Sequence, residues 1–389
     1  MKALVADGQW LPRTDYTASA VERQQRRAVI GSKVWRNPTF EVRDVPVPEI
    51  DDDELLIRVV SCGICGSDLH LYEQDNDGYV LFSGPVRLPC IIGHEYTGVV
   101  ERVGRRVSNF RTGRKVAVES IYWCGVCTAC KSGAFNQCKS VELVGITRDG
   151  AMAEFVAAKE RHCWDIDCLD QRYQGQELFD VGALIEPIGC AYNGIFVSGG
   201  GFKPGATVVV YGVGPIGLAA VALSRLAGAN LIIAFDCIDT RLDIAATLGA
   251  DYTFNINTLA KNSVTAAEQV MALTNGGGAE VQVEAAGAAA YTFAQMQQSI
   301  ATSGKIIYLG RAASTATLTL DRLVTEANSI IGSRGHSGAG VFHYVIRLLA
   351  SGRLNVGEII TARYPFKDVL SAFQKSTDRH DGKCMIAIS

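Results

Sequence analysis

The chain has 389 residues, room for two or three domains at about 100 to 200 residues each, so a lone small module is excluded. Hydrophobic residues make up 48% and charged residues 20%, a balance that excludes intrinsic disorder. With 37 basic against 40 acidic side chains, the net charge of −3 gives no reason to expect nucleic acid or an anionic membrane as partner and points to a small-molecule substrate.

The opening residues, Met1 to Gly8, hold a short apolar run cut by Asp7, and no uninterrupted run of 18 apolar residues follows, so neither secretion nor membrane anchoring is expected. Residues Arg13 to Arg27 read as a surface arm or short helix. Short alternating runs at Glu54–Val60, Tyr96–Val103 and Arg114–Val118, broken by Gly, Pro and Asp, predict an irregular β-rich domain. From Pro204 to about Gly332 the texture changes. The apolar runs Thr207–Tyr211, Leu231–Phe235, Val281–Val283, Lys305–Leu309 and Ser329–Ile331 alternate with helix-compatible stretches such as Ile216–Ala227 and Thr240–Leu248. Strands alternating with helices predict an α/β domain with a parallel, doubly wound sheet. A helix over Phe342–Ala350 and a last strand at Cys384–Ile388 form a tail too short to be a domain, expected to pack back on the first. The division expected is therefore 1–190 with 337–389 for the β-rich domain and 191–336 for the α/β domain.

Tyr211-Gly212-Val213-Gly214-Pro215-Ile216-Gly217 follows a strand and opens a helix. Gly212 permits the tight turn, Gly214 lets backbone approach a pyrophosphate, and Gly217 lets helix and strand pack closely, while Pro215 and Ile216 begin a helix whose free N–H groups meet phosphate. Asp236 ends the next strand, placed to accept hydrogen bonds from the adenosine ribose, which favours NAD because a carboxylate repels a 2′-phosphate. Arg241 keeps NADP open, since a nearby Arg accommodates that phosphate.

Twelve cysteines are too sparse for a disulfide scaffold, and four crowd together as Cys124, Cys127, Cys130 and Cys138, spaced C-x2-C-x2-C-x7-C. Four thiolates in one loop, about residues 119–142, match a closed tetrahedral zinc site of structural type in a reducing, cytoplasmic setting. An iron–sulfur cluster also takes four Cys, but nothing else in the sequence suggests electron transfer.

Upstream lie Cys62-Gly-Ile-Cys65-Gly-Ser67-Asp68-Leu-His70 and Gly93-His94-Glu95. A Cys, a His and a carboxylate from separate segments suit an open zinc site with room for substrate. The G-I-C-G-S-D-x-H and G-H-E motifs, the four-Cys lobe and the G-x-G-P-I-G turn together resemble the zinc-dependent medium-chain alcohol dehydrogenases over nearly the whole chain. The resemblance implies a GroES-like catalytic domain, a Rossmann domain and a cleft between them, in an enzyme that is usually a homo-oligomer, dimer or tetramer. It implies two zinc ions per chain, with Cys65 and His94 as catalytic ligands and Glu95 binding zinc directly or through water. Leu184-Ile-Glu186-Pro resembles the sorbitol dehydrogenase pattern, with Glu186 where simple alcohol dehydrogenases carry Cys. Whether Glu95 and Glu186 coordinate together or alternately stays open. Ser67 and His70 match the family's proton relay, and a His near its ordinary pKa of about 6.5 suits the outer station.

The loop between His70 and His94 is polar, and Asp75 and Tyr79 are candidates for binding substrate hydroxyls. Gly31–Arg36 and Gly332-Ser-Arg-Gly-His336-Ser337-Gly338 resemble the scyllo-inosose and related cyclitol dehydrogenase branch, which makes His336 and Ser337 candidates for cofactor or substrate contact. Glu284 and Gly310, after later strands, resemble the family's cofactor-lining segments. The reading is an NAD-linked oxidoreductase acting on a polyol or cyclitol. Aminocyclitol, linear polyol, threonine and butanediol dehydrogenases compete with it, as does a zinc-stabilised dinucleotide-binding protein without catalysis.

Overall fold

A computed structural model describes residues 1–311 and 315–389. The chain divides into two compact units, Met1–Glu186 with Ala362–Asp378 and Lys383–Ser389, and Pro187–Thr361 with Arg379–Gly382.

In the first unit the strand Glu54–Gly63 is the organising element, and nine of its ten residues are buried. One edge pairs antiparallel with Glu95–Val103; the other pairs first with Phe155–Lys159 and then with the terminal strand Lys383–Ala387. Strands Lys115–Val118 and Cys163–Asp165 extend the sheet beyond Glu95–Val103. A strand enclosed on both edges and both faces reads as a nearly continuous apolar run, here Leu55-Leu56-Ile57 and Val59-Val60. A hairpin of Lys2–Trp10 and Trp35–Asp44 stands beside it. The Arg13–Arg27 arm carries the short helix Ala20–Gln25, closed by a capping box between Ser19 and Glu22.

The second unit holds a six-stranded parallel sheet. Its strands are β1 (Thr207–Tyr211), β2 (Leu231–Asp236), β3 (Tyr252–Asn255), β4 (Ala279–Glu284), β5 (Ile300–Tyr308) and β6 (Ser329–Gly332), in spatial order β3-β2-β1-β4-β5-β6. That order is the dinucleotide-binding arrangement, in which ligands bind outside the carboxyl ends of the strands where the order reverses. Helix α1 (Pro215–Leu226) follows β1, and Val208, Val209 and Val210 are fully buried, as a central parallel strand requires.

Two boundaries differ from the sequence expectation. The first unit ends at Glu186 instead of residue 190, and the chain returns to it at Ala362 instead of residue 337. The reason is packing: a Cβ on Gly189 would lie 2.9 Å from His336 Cβ and 3.3 Å from Val341, so the glycine lets the start of helix Val341–Ala350 close down on its own unit. The helical run Gly175–Ser198 is long and apolar enough to cross a membrane by length and composition, yet 72% of its apolar window is buried within the protein.

Candidate active site

Cys65 stands before the helix Gly66–Tyr72, and its backbone N–H donates to Asp68 Oδ2 at 2.9 Å. Asp68 is fully buried, and its other oxygen faces His94 Nδ1 at 3.4 Å. Sequence reasoning gave Asp68 no ligand role. In the structure it has the place of a second-layer carboxylate that orients the imidazole and leaves Nε2 for a metal. Ser67 Oγ lies 3.2 Å from that Nε2. His70, half-buried, sits three residues further along the same helix. Ligand atoms of Cys65, His94 and Glu95 all lie within 4.8 Å of one another.

Glu95 and Gly63 pair across the sheet, and Met385 pairs with Gly63 from the opposite strand. This register brings Lys383, next to that pairing, onto Glu95: Nζ donates to Oε2 at 2.5 Å and to the Ile64 carbonyl at 3.1 Å, with both side chains buried. Burial pushes the Glu95 carboxyl up, Lys383 pulls it down and Glu186 pushes it up again, leaving it above the ordinary range. Burial works against the charge on Lys383, but Glu95 outweighs it and holds the ammonium protonated. Lys383 was not singled out from sequence; its partner lies 288 positions away.

Glu186, at the start of helix Ile185–Tyr192, is buried and accepts a hydrogen bond from Ser120 Oγ at 2.7 Å on Oε1. It stands outside the tight three-residue cluster while its charge still acts on Glu95. The donor set fits a zinc ion. Burial opposes protonation of His94, yet Asp68 and Cys65 raise its pKa well above the ordinary value, so the surrounding anions favour a cation at that place.

The second cysteine cluster tests its own metal by distance. In a tetrahedron with sulfurs about 2.3 Å from zinc, neighbouring sulfurs are about 3.8 Å apart. The Sγ separations are 3.6 Å for Cys127–Cys130, 4.0 Å for Cys124–Cys130 and 4.0 Å for Cys127–Cys138. Backbone N–H groups also point at the sulfurs, from Cys127 to Cys124 and from Cys124 to Cys138. Amide donors at Cys130 and Lys139 bring the Cys127 thiol down to about 6, favouring the thiolate that zinc needs.

On the second unit Gly212 has φ +85°, and a Cβ there would lie 2.6 Å from Ala286 backbone. A Cβ on Gly217 would come within 1.9 Å of the Gly212 carbonyl, so helix α1 starts there only with glycine. Gly214, Pro215 and Ile216 are partly exposed at the turn, where α1 presents its first N–H groups. Asp236 accepts from the backbone N–H of Val213 at 2.7 Å, of Cys237 at 2.7 Å and of Ile238 at 3.0 Å, so it builds the glycine loop. Arg241 donates from Nε to the Asp381 carbonyl at 2.9 Å and holds a guanidinium nitrogen 3.8 Å from the Cβ position of Gly214.

Other candidates take different roles. Glu284 is fully buried, and its carboxylate accepts from the N–H groups of Gly287 and Ala288; a Cβ on Gly310 would collide with it. It shapes the segment beyond β4 and offers the cofactor no open face. Asp75 accepts from the N–H groups of Asp77 and Tyr79 and pairs with Arg13, whose guanidinium lies 3.9 Å over the buried Tyr79 ring. Both residues therefore build their loop. His336 is fully buried against Phe342 and Ser337 is nearly so, in the packing that sets the second-unit boundary.

Residues 51–167 match the family described as alcohol dehydrogenase GroES-like domain, and residues 215–351 that described as zinc-binding dehydrogenase. Over 380 residues, 95% of each chain, the protein is 37% identical to scyllo-inosose 3-dehydrogenase of Thermotoga maritima. It is 30% identical over 345 residues to L-threonine 3-dehydrogenase of Bacillus subtilis, covering 88% of this chain and 93% of that one. A solved chain from Thermotoga maritima superposes with a TM-score of 0.94 at 34% identity, covering 100% of both. The chain belongs to the GroES-like, zinc-binding medium-chain alcohol dehydrogenases.

Proposed function

We propose that the enzyme interconverts a secondary hydroxyl and a ketone on a cyclitol, an inositol or keto-inositol, with NAD as hydride partner and two zinc ions per chain, one catalytic and one structural. The observation that carries the reaction class is the Cys65–His94–Glu95 cluster, a donor set that a dinucleotide-binding protein without catalysis does not need. Similarity over 95% of the chain to a scyllo-inosose dehydrogenase supports the cyclitol.

Cys65 and His94, with Glu95 and Glu186, would hold the catalytic ion, which supplies Lewis acidity toward the reacting oxygen. Ser67, beside His94 Nε2, takes the hydroxyl proton, and His70 on the same helix face passes it outward. The glycine turn and Asp236 seat NAD. Arg241, with a guanidinium nitrogen 3.8 Å from the Cβ position of Gly214, is the residue that would accommodate a 2′-phosphate were NADP the partner. We place the enzyme in the cytoplasm as a homo-oligomer, dimer or tetramer, which light scattering tests.

The deciding experiment is NADH formation by zinc-loaded protein with myo-inositol, other cyclitols, an aminocyclitol, sorbitol, threonine and 2,3-butanediol. Selective turnover of a cyclitol, lost in Glu186→Ala, is expected. Preference for threonine or sorbitol overturns the cyclitol reading and leaves the reaction class standing.

A further inference from the structure

The two acidic side chains at the catalytic site are held by different donors. Lys383 binds Glu95 with a full charge, whereas Ser120 binds Glu186 Oε1 with a neutral hydroxyl at 2.7 Å. A neutral donor fixes the direction of the carboxylate and leaves its charge intact; an ammonium cancels much of that charge.

Ser120 is itself firmly set. Its carbonyl accepts from Val144 N–H at 3.0 Å, and the next two residues, Ile121–Tyr122, pair antiparallel with Glu142–Leu143. Cys124, the first sulfur of the lobe, follows four residues later. Ser120 is 7% exposed and Glu186 8%, so water competes little for the bond between them.

We propose that Ser120 is a positioning residue for the catalytic metal: by donating to Oε1 it fixes the direction in which Glu186 presents its carboxylate to the ion that Cys65 and His94 would hold. This rests on the zinc reading of the site and is independent of the cyclitol substrate. A ligating carboxylate that loses its orienting hydrogen bond loses metal affinity by about 10- to 100-fold.

The test uses the full chain with both sites filled, reading metal transfer to a chromophoric chelator and the visible absorption of cobalt(II) placed in the catalytic site. Ser120→Ala is expected to release one metal equivalent about 10- to 100-fold more readily and to shift the cobalt absorption, with the second equivalent unchanged. Ser120→Thr, which keeps the hydroxyl, restores both readouts. Ser120→Ala combined with Glu186→Ala behaves as Glu186→Ala alone, because the serine acts through that carboxylate. Wild-type release and absorption in Ser120→Ala overturn the proposal, as do losses that add in the double variant. If Ser120→Ala does not fold, Ser120→Thr decides: release and absorption unlike wild type refute a role for the hydroxyl. A substrate panel that rejects cyclitols leaves all of these readouts untouched.

Discussion

Gly63 lies between Glu95 and Met385 in the ladder, and a Cβ there would stand 2.5 Å from Glu95 Oε2 and 3.3 Å from Lys383 Cδ. The missing side chain is the space into which the buried ion pair folds. Breaking such a pair from one side leaves a charge without a partner in a low-dielectric interior, at a cost of about 3–5 kcal/mol. Lys383→Met should therefore destabilise the metal-free protein by about that amount in urea denaturation at neutral pH. The loss should shrink once zinc is added, since a cation beside Glu95 replaces part of the ammonium's field. An equal loss with and without zinc would separate Glu95 from the metal. Neither Lys383 nor Ser120 stood out in the sequence, for a physical reason: their partners are 288 and 66 residues away, and sheet pairing alone brings the first pair together. The candidate ligands Cys65, His94 and Glu95 stood out because Cys, His and Glu in short fixed motifs have few other uses, and the structure brings their ligand atoms within 4.8 Å of one another.

At the scale of elements, the helix Ala20–Gln25 is too short to persist by propensity and depends on its cap. Glu22 accepts from Ser19 N–H at 2.8 Å, Val29 N–H at 2.9 Å and the Tyr16 hydroxyl at 2.6 Å. Burial alone would raise its pKa, but these donors outweigh it and bring the carboxyl down from 4.5 to about 2, while burial and Glu22 push Tyr16 up to about 12. A depressed carboxylate binds fewer protons folded than unfolded, so its contribution is present above about 4.5 and is lost as pH falls toward about 2. Glu22→Gln should lower the urea midpoint at neutral pH by the equivalent of about 1 kcal/mol or more, and the gap from wild type should close over that acid range. A gap independent of pH would mean that the charge of Glu22 is irrelevant to the arm. The strands show the same division between legible and hidden. β1, β2, β4 and β5 were each marked by an apolar run because parallel strands inside the sheet are covered on both faces, whereas β6, at one edge with no buried residue, was marked only by Ile330-Ile331. β3, at the sheet edge, has one exposed and three half-buried residues and left no such run. The hairpin of Lys2–Trp10 and Trp35–Asp44 was hidden for a related reason, since the outer strand carries one buried residue in ten.

Across the whole molecule the two kinds of chemistry belong to separate compact units. Cys65, His94, Glu95, Glu186 and the four-Cys lobe lie in the first; the glycine turn, Asp236, Arg241 and its anchor at Asp381 lie in the second. Each unit has its own apolar core, the second built on Val209, Ile233, Phe235 and Ile306 with the helices over them. Domains with independent cores keep local functions when a neighbour is perturbed. On the proposed zinc reading, ligation is folding energy for the four-Cys lobe, so stripping metal should loosen residues near Cys124–Cys138 and abolish turnover. The dinucleotide site depends on backbone N–H groups at the start of α1 and on carboxylate–backbone bonds that hold no metal. NADH fluorescence titration of chelator-treated protein should therefore show binding of nearly native strength while hydrogen exchange rises in the lobe. On the proposed NAD reading, Asp236→Asn, which keeps an acceptor oxygen for the N–H groups of Cys237 and Ile238, should narrow the preference for NADH over NADPH, because a carboxylate would repel a 2′-phosphate and Arg241 would remain to attract one. If NADH binding vanished together with the metal, the cofactor site would depend on the zinc-bearing unit, and the separation argued from the two cores would fail.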